Sequence, residues 1–203
     1  MDRTIINIGR QFGAGGLEIA SLAGEMLGIP VYDKQLICKA AQKSGFSEEF
    51  FERRDEKRIL RFLQNIFSNG RVMGTGQNYL GDESLFKVQS AVIREIAEKE
   101  SAIFVGRASN YILRDLPCLD VYICAPLPNR IRRIAERKGI SPAEAENLIQ
   151  KVEKSRREFY NFFTFGEWGG ASDYDLCLNS SVLGIKGTAE YIVEFAKKAG
   201  IAK

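Results

Sequence analysis

The spacing of apolar residues changes several times along this chain, and each change predicts an element. Ile5, Ile6 and Ile8 form a short run of the kind buried in a sheet. Gly9, Gly13, Gly15 and Gly16 follow within a few residues. Ile19, Ala20, Leu22, Ala23, Met26 and Leu27 then recur at the spacing of one helix face. Gly28 and Pro30 stop that helix. Val31-Tyr32, Ala102–Val105, Leu119–Cys124 and Leu176–Leu178 read as four further strands. Between them, helical periodicity returns at Leu36–Lys43, Leu85–Glu100, after Pro126, from Ser141 to Tyr160, and at Ile185–Ala199. Ser141-Pro142-Ala143-Glu144 carries a capping box with proline at the first helical position. In the helix after Pro126, Leu127, Ile131, Ile134 and Ala135 are expected to face inward. Arg130, Arg133 and Arg137 are expected to form a charged stripe on the other side. Strands alternating with helices predict βαβ units and a parallel sheet.

One stretch breaks that alternation. Phe46–Asp82 carries many aromatic residues among charges, followed by Gly70, Gly74, Gly76 and Gly81. It reads as a helical insertion, its aromatics expected to pack rather than stack on bases.

Composition narrows the chemistry. The chain has 203 residues and no histidine, which removes histidine general bases, Ser–His and Cys–His pairs, and histidine metal sites. Phosphoryl transfer survives this limit, because it runs on positioning and on stabilisation of charge by Arg, Lys, Mg²⁺ and backbone N–H groups. A net charge of +3 gives no argument for nucleic acid or membrane binding. Cys38, Cys118, Cys124 and Cys177 form no C-x-x-C pair and are expected to be buried, reduced thiols. Without a signal-peptide pattern or a long apolar run, a soluble cytoplasmic protein is expected.

The glycine-rich stretch is the first candidate site. A strand, a glycine loop and a helix N-terminus together offer backbone N–H groups to a phosphate. The phosphate-loop pattern is G-x-x-x-x-G-K-[ST]. With Gly13-Ala14-Gly15 set on its last glycines, Gly16 stands at the lysine position and Arg10 where the first glycine belongs. A plain structural turn is the alternative. A dinucleotide fingerprint is a weaker one: Gly13 and Gly15 supply two glycines, Glu18 stands where the third belongs, and Asp33 lies near the expected acidic position. Asp33 and Lys34 follow the second strand, where open α/β sheets bind ligands, although Asp33 is equally suited to cap the next helix. Arg107 follows the third strand and is expected to point into the same crevice, with a surface ion pair as the alternative.

Several blocks in order along the chain carry a resemblance. They are Ile8–Gly16 (I-G-R-Q-F-G-A-G-G), Val31–Lys34, Val105–Arg107, the arginine run Arg130–Arg137, Arg156–Tyr160, Trp168–Gly169 and Tyr174–Asn179. On these the chain resembles the cytidylate kinase-like proteins, a divergent branch of the P-loop nucleoside monophosphate kinases. The resemblance implies a three-layer α/β fold of P-loop NTPase type with a five-stranded parallel sheet. It implies a single domain over 1–203, with a helical insertion at about 46–83 and a lid region at about 126–165. It also implies transfer of the ATP γ-phosphoryl to a nucleoside monophosphate such as CMP or dCMP, with ATP and Mg²⁺ as cofactors and small-molecule nucleotides as the partners.

By position, the resemblance places donor phosphates on the amides of Gly13, Ala14, Gly15 and Gly16. Arg107 falls near the acceptor phosphate, Arg130, Arg133 and Arg156 on the lid side, and Asp33 toward the acceptor. Glu18 falls where these kinases carry Ser or Thr, as a repulsive group or a direct ligand for Mg²⁺. Glu153 stands where Asp is expected ahead of a lid arginine. Arg10 is expected to substitute for the missing loop lysine. Two functions therefore stand open: a nucleotide kinase-like phosphotransferase, and a non-catalytic nucleotide- or phosphate-binding protein on the same fold. A nicotinamide-dependent oxidoreductase is a third, and strand order separates it from the first two.

Overall fold

The computed structural model describes residues 3–37 and 79–203. Five strands form one sheet: β1 (Ile5–Arg10), β2 (Val31–Tyr32), β3 (Ala102–Val105), β4 (Leu119–Cys124) and β5 (Leu176–Asn179). Their order is β2-β3-β1-β4-β5, with all four pairings parallel. The register pairs Ile5 with Ala102 and Ile8 with Val105, so the ends of β1 and β3 lie side by side. This order differs from the 3-2-1-4-5-6 arrangement of dinucleotide-binding sheets and counts against the oxidoreductase reading.

The strands sort their side chains by the two-residue period of a pleat. Ile6, Ile8, Ile103 and Val105 join the core beneath α1 (Gly16–Leu27), where Ile19, Ala20 and Ala23 are buried. Ile5, Ala102 and Phe104 belong to the opposite core, against α2 (Tyr79–Lys99) and the short α3 (Ser109–Ile112). A sheet covered on both faces needs strands apolar on both sides, which is why β3 reads as an unbroken AIFV. After β4 come α4 (Leu127–Lys138) and α5 (Pro142–Thr164), and α6 (Ser180–Lys198) closes the chain with a break in helical geometry at Gly184. The capping box at the start of α5 forms as expected, Ser141 accepting from the Glu144 N–H while Glu144 accepts from the Ser141 N–H.

Helices α4 and α5 share a small core of Ile134, Ala145 and Ile149, with Phe12 of the glycine loop packed against it. The hairpin is therefore anchored to the loop it was expected to cover. The expected insertion at about 46–83 lies for the most part outside the described residues, and α2 begins at Tyr79, six residues ahead of the predicted Leu85. Cys177 is exposed, against expectation, and Cys118 and Cys124 are only half-buried; all three are free thiols. The reason lies in topology. β5 is an edge strand whose residues alternate between half-buried and exposed, so an apolar run there does not imply burial. Among the described residues, no helix is long and apolar enough to cross a membrane.

Candidate anion site at the glycine loop

The glycine loop leaves β1 and is fastened to β4 before it turns. The Gln11 N–H donates to the Ile123 carbonyl at 2.9 Å, and the Gln11 Oε1 accepts from the Ala125 N–H at 3.1 Å. Gly13 and Gly15 take φ values of 86° and 80°, a region that favours glycine. At Gly15 a side chain is excluded twice over, because a Cβ there would overlap the Arg133 guanidinium and the Ile185 methyl. From the far end of the chain, the buried Ser180 hydroxyl donates to the Ala14 carbonyl at 2.7 Å. The loop delivers the chain into α1, whose N-terminus has no side-chain cap. Its first N–H groups thus remain available to an anion, and the helix dipole favours one there.

Next to this loop, at the ends of β1 and β3, cations gather from separate elements. Arg10 at the end of β1, Lys34 after β2, Arg107 after β3 and Arg156 on α5 line one cavity of about 210 Å³, along with Phe159 and Trp168. The Arg10 guanidinium is pushed down to about 9 by burial first, then by the neighbouring charges of Arg156 and Arg107; Asp33 opposes that shift. Burial likewise pushes Arg156 down, against the pull of Glu153. Such a cluster of like charges is held at a cost and favours an anion that relieves it. Arg156 also reaches the loop directly, its Nη1 donating to the Arg10 carbonyl at 3.0 Å.

Arg107 stands in a left-handed conformation, φ 63°, with Ala108 next to it at φ 55°. Backbone strain of this kind at non-glycine residues collects at functional sites. The Arg107 Nε donates to Gln89 Oε1 at 2.8 Å, and its guanidinium lies 3.9 Å from the centre of the Phe159 ring. The Nη1 of Arg133 is buried without a hydrogen-bond partner, over Gly15. An orphaned cationic donor beside a glycine cradle suits the phosphates of a nucleotide. For Mg²⁺, Glu18 offers one carboxylate in the first turn of α1. Such an ion needs only one or two protein carboxylates besides phosphate and water. No group of three potential metal ligands occurs among the described residues.

Arg130 is placed otherwise than the sequence suggested, and Glu18 and Asp33 are seen with protein partners. Arg130 does not join a solvated stripe. It is buried, with Nη1 2.6 Å from Glu153 Oε1, Nε donating to the Ala125 carbonyl at 2.9 Å and Nη1 to the Phe12 carbonyl at 3.3 Å. Leu127, expected inside, is exposed instead. Glu18 is half-exposed, and its carboxylate lies 3.6 Å from the Arg137 guanidinium. Asp33 acts as a helix cap: its Oδ1 accepts from the N–H groups of Gln35 and Leu36, both at 2.9 Å, although its charge still acts on Arg10.

Glu153 and Ser180 emerge only from the structure in these roles. Glu153 Oε1 accepts from both Arg130 and the Phe12 N–H, the latter at 3.0 Å, joining α5 to the loop. In sequence Glu153 stands out only as a departure from a family pattern, and the block Tyr174–Asn179 stops one residue short of Ser180. Gln89 was equally unmarked, although its amide orients Arg107 from α2.

A parallel sheet of this order, with a glycine loop leading from β1 into α1, defines a P-loop-kinase type of α/β domain. Shikimate kinase from Bacteroides thetaiotaomicron shares this fold, with a TM-score of 0.54 at 12% identity, over 96% of this chain and 98% of that one. A protein from Eubacterium ventriosum described as uncharacterized is more similar, with a TM-score of 0.74 at 26% identity, covering 97% of this chain and 99% of that one. The sequence profile of the cytidylate kinase-like family matches residues 5–182, and the chain belongs to that family. The cytidylate kinase of Staphylothermus marinus is 31% identical over 108 residues, 51% of this chain and 59% of that protein. The cytidylate kinase of Methanopyrus kandleri is 34% identical over 97 residues, 43% of this chain and 50% of that protein. The chain thus spans between half and three-fifths of the length of these curated relatives.

Proposed function

We propose that this chain is a nucleotide kinase-like phosphotransferase that moves the γ-phosphoryl of ATP to a nucleoside monophosphate of the CMP or dCMP type. The observation that carries this reading is the convergence of Arg10, Arg107 and Arg156 on one cavity, with the stem of Arg10 packed against Gly16 at the uncapped start of α1. In this reading the amides of Gly13–Gly16 hold the donor phosphates, and Arg107, fixed by Gln89, meets the acceptor phosphate. Arg133 and Arg156 neutralise charge on the transferring group from the hairpin side. Arg130 contributes by holding the hairpin to the loop through Glu153. Mg²⁺, held by Glu18 and the nucleotide, would supply further neutralisation of phosphate charge. The partners are small-molecule nucleotides, with neither nucleic acid nor membrane.

A second reading, a non-catalytic nucleotide- or phosphate-binding protein, is favoured by Gly16 at the lysine position and by the Phe12 N–H being taken up by Glu153. ADP formation from ATP·Mg²⁺ with a panel of nucleoside monophosphates separates the two. Turnover with one acceptor, lost in Arg107→Ala, supports the kinase and names its substrate. Saturable ATP binding with no turnover across the panel supports the binding protein.

A further inference from the structure

The phosphate-loop pattern has glycine at its first position and lysine at its seventh. Here those positions are Arg10 and Gly16, so the two residue types are interchanged. The structure shows that the positions touch. A Cβ built on Gly16 would lie 2.7 Å from Arg10 Cγ and 2.8 Å from Arg10 Cβ, closer than real side chains approach. Only one of the two can therefore carry a side chain. The usual loop gives it to the helix start, and this chain gives it to the end of β1. We propose that Arg10 and Gly16 are a reciprocal exchange in which Arg10 supplies, from the sheet edge, the phosphate-binding cation that the loop lysine otherwise supplies. This rests on reading the glycine loop as the donor-phosphate cradle.

Two further features follow from the same side chain. The Arg10 guanidinium runs over Gly106, where a Cβ would overlap its Nη1, so a second glycine keeps its path clear. It ends between Arg107 and Arg156, and among the described residues no carboxylate forms an ion pair with it. A cation flanked by two others favours an anion beside it.

The exchange makes an unusual demand. Gly16→Lys restores the standard residue, yet on its own it drives a side chain into the Arg10 stem and weakens phosphate binding. Arg10→Gly removes the cation. The two together restore the glycine and the lysine of the standard pattern and recover affinity. Inorganic tripolyphosphate and ATP binding, measured by calorimetry on the full chain, test this, with thermal melts to verify folding. Arg10→Gln serves beside Arg10→Gly because it keeps the packing of the stem and removes only the charge. We expect Arg10→Gln to weaken tripolyphosphate binding about 10-fold or more, the scale of one charge-assisted hydrogen bond. We expect the double variant to bind more tightly than either of its parents. Unchanged binding in Arg10→Gln, tighter binding in Gly16→Lys alone, a double variant no better than its parents, or no tripolyphosphate binding by the parent protein each overturns the proposal. Loss of binding in Arg10→Gln with no phosphoryl transfer by the parent protein upholds the exchange while removing the kinase reading. Turnover that survives Arg10→Gln intact does the reverse.

Discussion

Arg130 offers the sharpest test of how this site is built. Its guanidinium meets the Glu153 carboxylate at 2.6 Å, with 8% and 15% of the two side chains exposed. Removing one partner of a buried ion pair leaves the other charge uncompensated, at about 3–5 kcal/mol. Arg130→Met also strips donors from the Ala125 and Phe12 carbonyls, so its cost belongs at the upper end of that range. For a domain of this size about 1 kcal/mol moves Tm by roughly 2–4 °C. Each single variant, Arg130→Met or Glu153→Leu, should therefore lower Tm by about 6–20 °C. The double variant should cost clearly less than the two singles added, because it buries neither charge. Urea denaturation of the parent, both singles and the double closes the cycle, and we expect a coupling of about 2–4 kcal/mol. A Tm for Arg130→Met within about 2 °C of the parent would refute the role of Arg130 in tying the hairpin to the loop. So would a coupling near zero. Either result would return Arg130 to the ligand-facing role that its sequence position suggests.

Three other outcomes follow from single contacts. Ser180→Ala removes the hydroxyl that holds the Ala14 carbonyl at 2.7 Å and should cost about 1–2 kcal/mol in urea unfolding, with weaker ATP binding as the loop loosens; unchanged stability would mean the bond carries no load. Gly106→Ala places a methyl on the Arg10 guanidinium at a φ of 77°, and should weaken tripolyphosphate binding while leaving a folded protein; unaltered affinity would show that Arg10 does not act along that path. Alkylation at pH 8 followed by peptide mapping should modify exposed Cys177 well before Cys118, whose thiol burial pushes up to about 12; the opposite order would contradict the placement of the two.

The sheet was legible because its central strands are covered on both faces and are apolar but for the paired Asn7 and Asp120. Ala102–Val105 and Ile5–Ile8 leave little room for another reading. The glycine loop was legible because the φ values of Gly13 and Gly15 lie in a region that favours glycine. Arg130 was not, and the reason is geometric. Residues three and seven apart share a helix side, which groups Arg130 with Arg133 and Arg137. Residues four apart share one equally well, which groups it with buried Ile134. Periodicity does not choose between these; the partner does, and Glu153 lies 23 residues further on. Ser180 is more remote still, 166 residues from the carbonyl it holds. Cys177 failed for a different reason, since strand order decides which apolar run lies at an edge and no local pattern encodes strand order.

The cations of the site differ in how firmly they are held, and this bears on how it would work. Arg10 and Arg107 are set by strand ends whose register is fixed by β1–β3 pairing. Arg133 and Arg156 ride on the α4–α5 hairpin, which reaches the loop through the Glu153 bonds to Phe12 and Arg130 and the Arg156 bond to the Arg10 carbonyl. Two of those bonds use backbone groups, of Phe12 in the loop and of Arg10 at its entry, close to where the proposed donor would bind. Phosphoryl transfer depends on placing positive charge where negative charge develops, so half of the constellation is built into the sheet and half depends on the hairpin's hold on the loop. Weakening Glu153 should therefore disturb Arg133 and Arg156 most, Arg107 less through its contact with Phe159 of α5, and Arg10 least. In a kinase of this design, Glu153→Gln should depress kcat more than it raises the Kd for tripolyphosphate. Equal effects on both would mean that the hairpin and the sheet act as one rigid site.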